Sequence, residues 1–567
     1  MKNRRFPKKN KNKNKTEIKR ELITQNDYYE QGTFEEEQAE RWLLSDIKKS
    51  LKFYLEAFNL YELGLKNLNE SNDKIIYNLL YNKSRLLLQI YTDYLSNDGY
   101  INILKYIKLD DINNINIILK NLPEIVNILE NVYNQFANNN LIDIWDLQYN
   151  LLTSYLSLLE TNEFYKISSG EIIQISNKFI ELSQLLIKRQ INELENWSNF
   201  SINEKEDSNL IQDKLDEDSN SVNLNKDGSG IVINRINNNS QREEIMEVSD
   251  QITIETLSEV ILNCYKFIEI IIEIIIQNKL VLNIDISENE KLNDVQINYL
   301  IDLIDKLYLQ LEDIERTEFN ELNLNLTEIK LIKFSIEGDK KILQGDLKEF
   351  LKFQEIKIIE SNLENLLSYQ MIKIDTLELS IECFTNQDSI IEWELSSLLS
   401  KKLTEVIKIL STKRNNILTN NIYDQLQMDQ LSEIVFKLCT IYITNSDNEL
   451  RRYSIKMIDN NNNNNNNNKD ETSMKVSLIL MKNAKTLLLN AQKISKQSCG
   501  MQETIVDKLK RNYIYNQATS RLQLMEYYEN QNAMIESTTA SQQPNIESLD
   551  MEIQDLLKDH PFYSRLL

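Results

Sequence analysis

The residues that could do chemistry in this chain are few and poorly placed for it. Histidine, the commonest general acid, base and metal ligand near neutral pH, occurs once, as His560 beside Pro561, with no partner that the sequence identifies. Phosphate-binding loops need closely set glycines ahead of a helix, and the one close pair, Gly228 and Gly230, lacks the Lys-Ser/Thr of a nucleotide loop. Cys264, Cys383, Cys439 and Cys499 lie at least 56 residues apart. That spacing gives neither a zinc knuckle nor a disulfide framework, and it fits a reducing compartment. Carboxylates abound, but acid pairs on helices are usually solvated faces. The expectation is therefore a non-enzymatic protein with no metal or cofactor, an Asp/Glu-only active site being the one catalytic arrangement left open.

The elements that would have to position any site are helices. Only 4 Pro and 9 Gly occur in 567 residues, so turns fall to Asn, Asp and Ser, and apolar residues recur at helical spacing almost everywhere. The fold class expected is all-α. The net charge is −23, yet residues 1–20 hold ten Lys/Arg and one acid, leaving 54 bases against 86 acids, or −32, in the remainder. An acidic body repels nucleic acid and favours basic protein segments.

In chain order, 1–27 is a basic arm (Lys2, Arg4, Arg5, Lys8, Lys9, Lys11, Lys13, Lys15) without the apolar core of a secretory signal. It reads either as a nuclear-import or polyanion-contacting arm or as a merely solvating tail. Residues 28–200 form a first helical array, opening with a capping box at Thr33 and Glu36 that leads into the apolar Trp42, Leu43 and Leu44. Residues 201–248 have a linker's composition, either an acidic clamp for basic peptides or an ordinary insertion. A central array follows at 249–458. Its most apolar helix, "LSEVILNCYKFIEIIIEIIIQ", carries Lys266, Glu269 and Glu273 on one face and so reads as a buried helix and not a membrane span. Further helices are expected at 293–315, 326–356, 357–373, 376–411 and 424–446. An Asn-rich loop (459–473), C-terminal helices (474–534), a polar linker (535–548) and a short terminal helix (549–567) complete the chain. That last helix either caps the array or docks on another protein.

One stretch, "FYLEAFNLYELGLKNLNESNDKIIYNLLYNKSRLLLQIY" (Phe53 to Tyr91), resembles the second helix of a tetratricopeptide repeat, a turn, and the first helix of the next repeat. Ala57, Tyr61 and Gly64 fill the small–aromatic–small slots, and Asn82 and Ser84 match positions of the following helix. The usual Pro at the turn is replaced by Asn69, and the spacing between repeats is about five residues longer than the family's. The pattern returns near the other end, with Ala484, Leu488 and Ala491 in the same slots and Asn516 and Ala518 echoing Asn82 and Ser84. The resemblance implies helix pairs stacked as an α-solenoid whose concave groove holds a partner, with Asn82 and Asn516 as groove contacts and the other positions packing. The heat-shock branch of that family clamps a carboxylate tail with Lys and Asn, but the corresponding slots here are Trp42 and Asp46.

Two functions follow as expectations. One is an adaptor or assembly chaperone whose acidic groove holds a basic client, in cytoplasm or nucleus. The other is a structural subunit of a larger complex in trafficking, transcription or RNA metabolism. Direct nucleic-acid contact is expected only through the basic arm.

Overall fold

The computed structural model of the chain describes residues 22–67, 72–96, 102–139, 142–208, 223–224, 231–232, 252–280, 291–317, 327–358, 362–384, 388–419, 425–463, 471–497, 499, 503–536, 553–554, 557–558 and 560–566. The basic arm from Lys2 to Lys15, Gly228, Gly230 and most of the 201–248 linker lie outside them. The fold is all-α. The one extended pairing among the described residues is a two-residue antiparallel ladder, Asn223–Leu224 with Ile231–Val232, too short to form a layer.

The chain begins with α1 (Gln25–Glu40), α2 (Ile47–Lys66) and α3 (Asp73–Ile90). Side chains that accept from the first-turn amides start each of them: Thr24, Asp46 and Asn72. The capping box is Thr24 with Asp27 and not Thr33 with Glu36. Thr33 sits inside α1 and donates to the Glu30 carbonyl. Asp27 draws in the amides of Ile23 and Thr24, which fixes the start upstream. The helix therefore ends before Trp42, which lies in the following turn beneath Lys49 Nζ, 3.3 Å from its ring centre. Asp46 is the cap of α2, so neither slot compared with the chaperone-tail clamp is helical. Residues 100–136 were expected to add two helices: the second is α4 (Leu122–Phe136), with Pro123 in its first turn, while in place of the first the described residues hold only short 3-10 turns at Ile103–Tyr106 and Ile115–Ile117.

Small residues set how closely the first three helices pack. A Cβ on Gly32 would meet Tyr61 Cε1 at 2.3 Å, and one on Gly64 would meet Leu79 Cδ2 and Tyr28 Cβ at 3.0 Å. Ala57, Tyr61 and Ser84 are fully buried beside them. The Tyr61 hydroxyl donates to Glu36 Oε1 (2.6 Å), and Arg85 pairs with the other Glu36 oxygen. Gly64→Leu is expected to overpack the crossing and destabilise the protein by about 1–3 kcal/mol. A lowered melting temperature checks this, and an unchanged one would mean that α1 and α3 can part without loss.

Next come α5 (Trp145–Glu160), the short α6 (Asn162–Tyr165), α7 (Ser169–Ser208), α8 (Ile254–Leu280) and α9 (Asp294–Thr317). They are followed by α10 (Thr327–Leu343), α11 (Leu347–Glu355), α12 (Leu363–Phe384) and α13 (Ser389–Thr419). A break was expected at 374–375, but α12 runs through it to Phe384, because 363–384 keeps one continuous apolar face (Ile374, Leu377, Ile381, Phe384). The helix expected over 326–356 is two, α10 and α11, because Gly345 makes a turn between them at φ +70°, whereas Gly338 is inside α10 and lets it approach Phe353 and Thr376 to within 3 Å of a would-be Cβ. α14 (Gln425–Asn463), α15 (Glu471–Ser495) and α16 (Ile505–Glu536) end the helical series.

Hydrophobic burial joins these helices into two cores. One runs from Ala39 to Ile441 and the other from Leu431 to Tyr563, with α14 contributing to both. The helices on either side of 201–248 share the first core, where Phe179 of α7 stacks on Phe267 of α8 at 4.3 Å. α8 is its centre. It packs against α5, α7, α9, α10 and α12 and buries Leu257, Val260, Ile261, Phe267, Ile271 and Ile275 completely. No helix among the described residues is long and apolar enough to cross a membrane.

Candidate functional site

The all-round burial of α8 leaves one stripe for its polar residues. Lys266, Glu269 and Glu273 follow the helical repeat and emerge on the same side. α10 and α12 bring their own acids to that side. The result is a cleft of about 640 Å³ lined by Glu269, Glu273, Glu328, Asp339, Asp375 and Glu382, with Lys266 the one basic residue in its wall. Apolar residues such as Leu262, Ile332 and Leu379 and the polar Gln277, Ser335 and Thr376 line the remainder. Glu160 at the end of α5 and Glu378 of α12 add further negative charge, both felt electrostatically by the groups in the cleft.

Burial and mutual repulsion raise the carboxylates around this cleft above their ordinary range. Burial, then repulsion from Glu269, Asp375 and Glu160, pushes Glu273 up to about 8. Burial raises Glu269 to about 7, although a hydrogen bond from Ser335 and the charge of Lys266 work against this. Burial brings Asp375 to about 6, and burial followed by the charges of Asp375 and Glu382 brings Glu378 to about 7, with Arg451 opposing. Asp339 is raised well above the ordinary range by burial and by Glu273, Glu269 and Asp375. It is 2% exposed, and its Oδ2 has no hydrogen-bond partner. Among the described residues, none of these carboxylates forms an ion pair. An arriving positive charge would be favoured twice, by direct attraction and by relief of the repulsion.

Sequence reasoning missed this site by treating acid pairs as solvated faces. The signal was nevertheless present: two glutamates one turn apart inside a run of isoleucines have to face something other than bulk water. The residues singled out by the repeat pattern lie elsewhere. Ala57, Tyr61 and Gly64 pack in the first core, and Ala484, Leu488, Ala491 and Ala518 are fully buried in the second. The carbonyls of Ala484 and Ala491 accept from Ser446 and Cys439 of α14. Asn82 is 9% exposed and accepts from Arg85 Nε at 3.2 Å, so its amide serves the network around Glu36 and does not project into an open groove. Asn516 is exposed on α16, far in sequence from the acidic cleft.

The lone histidine is occupied. Phe562 N donates to His560 Nδ1 (3.2 Å), which makes Nε2 the donor to the Asp447 carbonyl at 2.9 Å. It fastens the C-terminal tail, whose Ile553, Leu557, Phe562 and Tyr563 are buried in the second core. All four cysteines are free and buried.

Residues 164–344 match a family described as the YNL193W-like protein middle domain, and residues 361–567 match the YNL193W C-terminal domain. A Saccharomyces cerevisiae protein described as "Uncharacterized protein YNL193W" is 40% identical to the chain over 567 residues, covering 98% of this chain and 97% of the relative. The chain belongs to the YNL193W family. In the terms of that family, the acidic cleft straddles two domains. Glu269, Glu273 and Asp339 fall in the middle-domain match, and Asp375, Glu378 and Glu382 in the C-terminal one. Binding sites favour such junctions, because two separately packed surfaces meet there and leave a concavity.

Proposed function

We propose that this YNL193W-family chain is a non-enzymatic scaffold, an adaptor or assembly chaperone, whose acidic cleft holds a Lys/Arg-rich segment of a client protein. The observation that carries the reading is the cleft itself, in which six carboxylates face one lysine within a single concavity. The surrounding body, at −32 beyond residue 20, would speed the approach of a basic segment and discriminate against nucleic acid. We further read the helices as antiparallel pairs stacked in a tetratricopeptide-like solenoid. In support, α1 packs on both α2 and α3, with Gly32 and Gly64 at the close approaches.

The test is fluorescence anisotropy of a labelled Lys/Arg-rich peptide against full-length protein. Binding is expected to weaken with salt, as a screened interaction does. Neutralising Asp375, Glu378 and Glu382 together (Asp375→Asn, Glu378→Gln, Glu382→Gln) is expected to reduce affinity about tenfold or more, equivalent to about 1.4 kcal/mol. Equal affinity in the triple variant would remove the cleft from the interaction.

A second reading, a structural subunit of a larger complex, has its own observation. Met474, Leu478 and Ile479 of α15 stand 65%, 63% and 57% exposed, an apolar patch of the kind that obligate interfaces cover. A native pull-down after nuclease treatment separates the two. One basic protein released by high salt is the scaffold's outcome, and a fixed multi-subunit set that survives the wash is the subunit's.

A further inference from the structure

We infer that Glu269, Glu273 and Asp339 form a binding site for one hard divalent cation on the floor of the acidic cleft. Each offers one carboxylate oxygen, and the three oxygens lie within 4.8 Å of one another. Oxygens sharing one coordination sphere with metal–oxygen distances of about 2.0–2.6 Å span that separation. Glu269 and Glu273 are a helical turn apart on α8, which is held in place by burial on its other sides. Asp339 comes from α10, seated at the α10–α12 crossing by its neighbour Gly338. Ser335, one turn before Asp339, holds Glu269 by a hydrogen bond.

The second observation is independent of the cluster's charge. Asp339 is 2% exposed, lines the cleft, and has a carboxylate oxygen with no donor. Such an oxygen is strongly disfavoured unless a proton, a protein cation or a bound ion satisfies it. Lys266, the one basic residue in the wall, forms no ion pair with the cluster. A divalent cation satisfies all three carboxylates at once. An all-oxygen donor set selects Mg²⁺, Ca²⁺ or Mn²⁺ over softer metals, and water entering from the mouth would complete the sphere.

This inference shares the cleft of the client reading, whose six carboxylates include these three, but it concerns a metal ion and not a peptide, so each is tested by its own ligand. The experiment is MnCl₂ titration of full-length, chelator-treated protein, with free Mn²⁺ read by electron paramagnetic resonance and CaCl₂ added as competitor. One equivalent is expected to bind saturably at or below about 1 mM, the weak end of all-oxygen sites. Asp339→Asn and Glu273→Gln should each weaken binding at least tenfold, and Glu526→Gln, exposed on α16 and outside the cleft, should leave it unchanged. Both floor variants keep side-chain shape while removing buried charge, and circular dichroism verifies folding. If one misfolds, the other carries the test. No saturable uptake by the wild type, or uptake insensitive to both floor variants, overturns the site. Manganese binding without affinity for the basic peptide would sink the client reading alone, and the reverse result would sink this one alone.

Discussion

Arg521→Ala is expected to unfasten the C-terminal tail and destabilise the second core by about 3–5 kcal/mol, the cost of stripping one partner from a buried ion pair. Arg521 Nε lies 3.0 Å from both Asp447 oxygens and Nη2 lies 2.9 Å from one of them, while Nη1 donates to Gln517 Oε1 at 2.6 Å. The same Asp447 accepts from the Tyr563 hydroxyl (3.3 Å) and, through its carbonyl, from His560. Removing the guanidinium leaves a largely buried carboxylate facing a fully buried tyrosine. Hydrogen exchange should show the loss as lowered protection in α14, α16 and residues 560–566 together. Loss confined to α16 would mean that the tail is held by its apolar contacts alone, through Phe562 against Tyr453 and Tyr528.

Chelator-treated protein is expected to lose stability as pH rises from about 4.5 to about 8. Glu273 and Glu269 have an ordinary value of 4.5 and are pushed up to about 8 and about 7 in the fold. Between those limits the folded chain keeps protons that the unfolded chain has released, so the slope of unfolding free energy with pH is negative. This contribution is fully present below about 4.5 and gone above about 8. The charged groups around Glu273 and Glu269 come from four helices: Glu160 on α5, Lys266 on α8 itself, Asp339 on α10 and Asp375 on α12. Glu273→Gln is expected to stabilise by about 1–2 kcal/mol at pH 8 after allowance for solvent screening, and to be nearly neutral at pH 5. Thermal melts at the two pH values decide it. An equal shift at both would assign the effect to packing and not to charge.

Much of the helical framework was legible before any tertiary contact was known. The scarcity of Pro and Gly, the Asn and Asp caps and the apolar spacing all point to helices, and Asp46, Asn72 and Asn121 do start them. Boundaries were less legible. Thr33–Glu36 and Thr24–Asp27 are both acceptable capping boxes by local chemistry, and the choice between them rests on Gly32 meeting Tyr61 and on Glu36 being needed by Arg85. The break expected at 374–375 is absent for a related reason: nothing local there favours or forbids a turn, and burial of Ile374 and Leu377 carries the helix through.

The helical class, the acidic excess, and the placing of Lys266, Glu269 and Glu273 on one face of the most apolar helix are all readable from the chain alone, because helical periodicity is a local property. What that face meets depends on packing. Asp339, Asp375 and Glu382 reach it from helices whose own patterns give no sign of a shared destination. Repulsion among carboxylates acts through space and depends on burial, so the acidic cleft exists only once α8, α10 and α12 have packed.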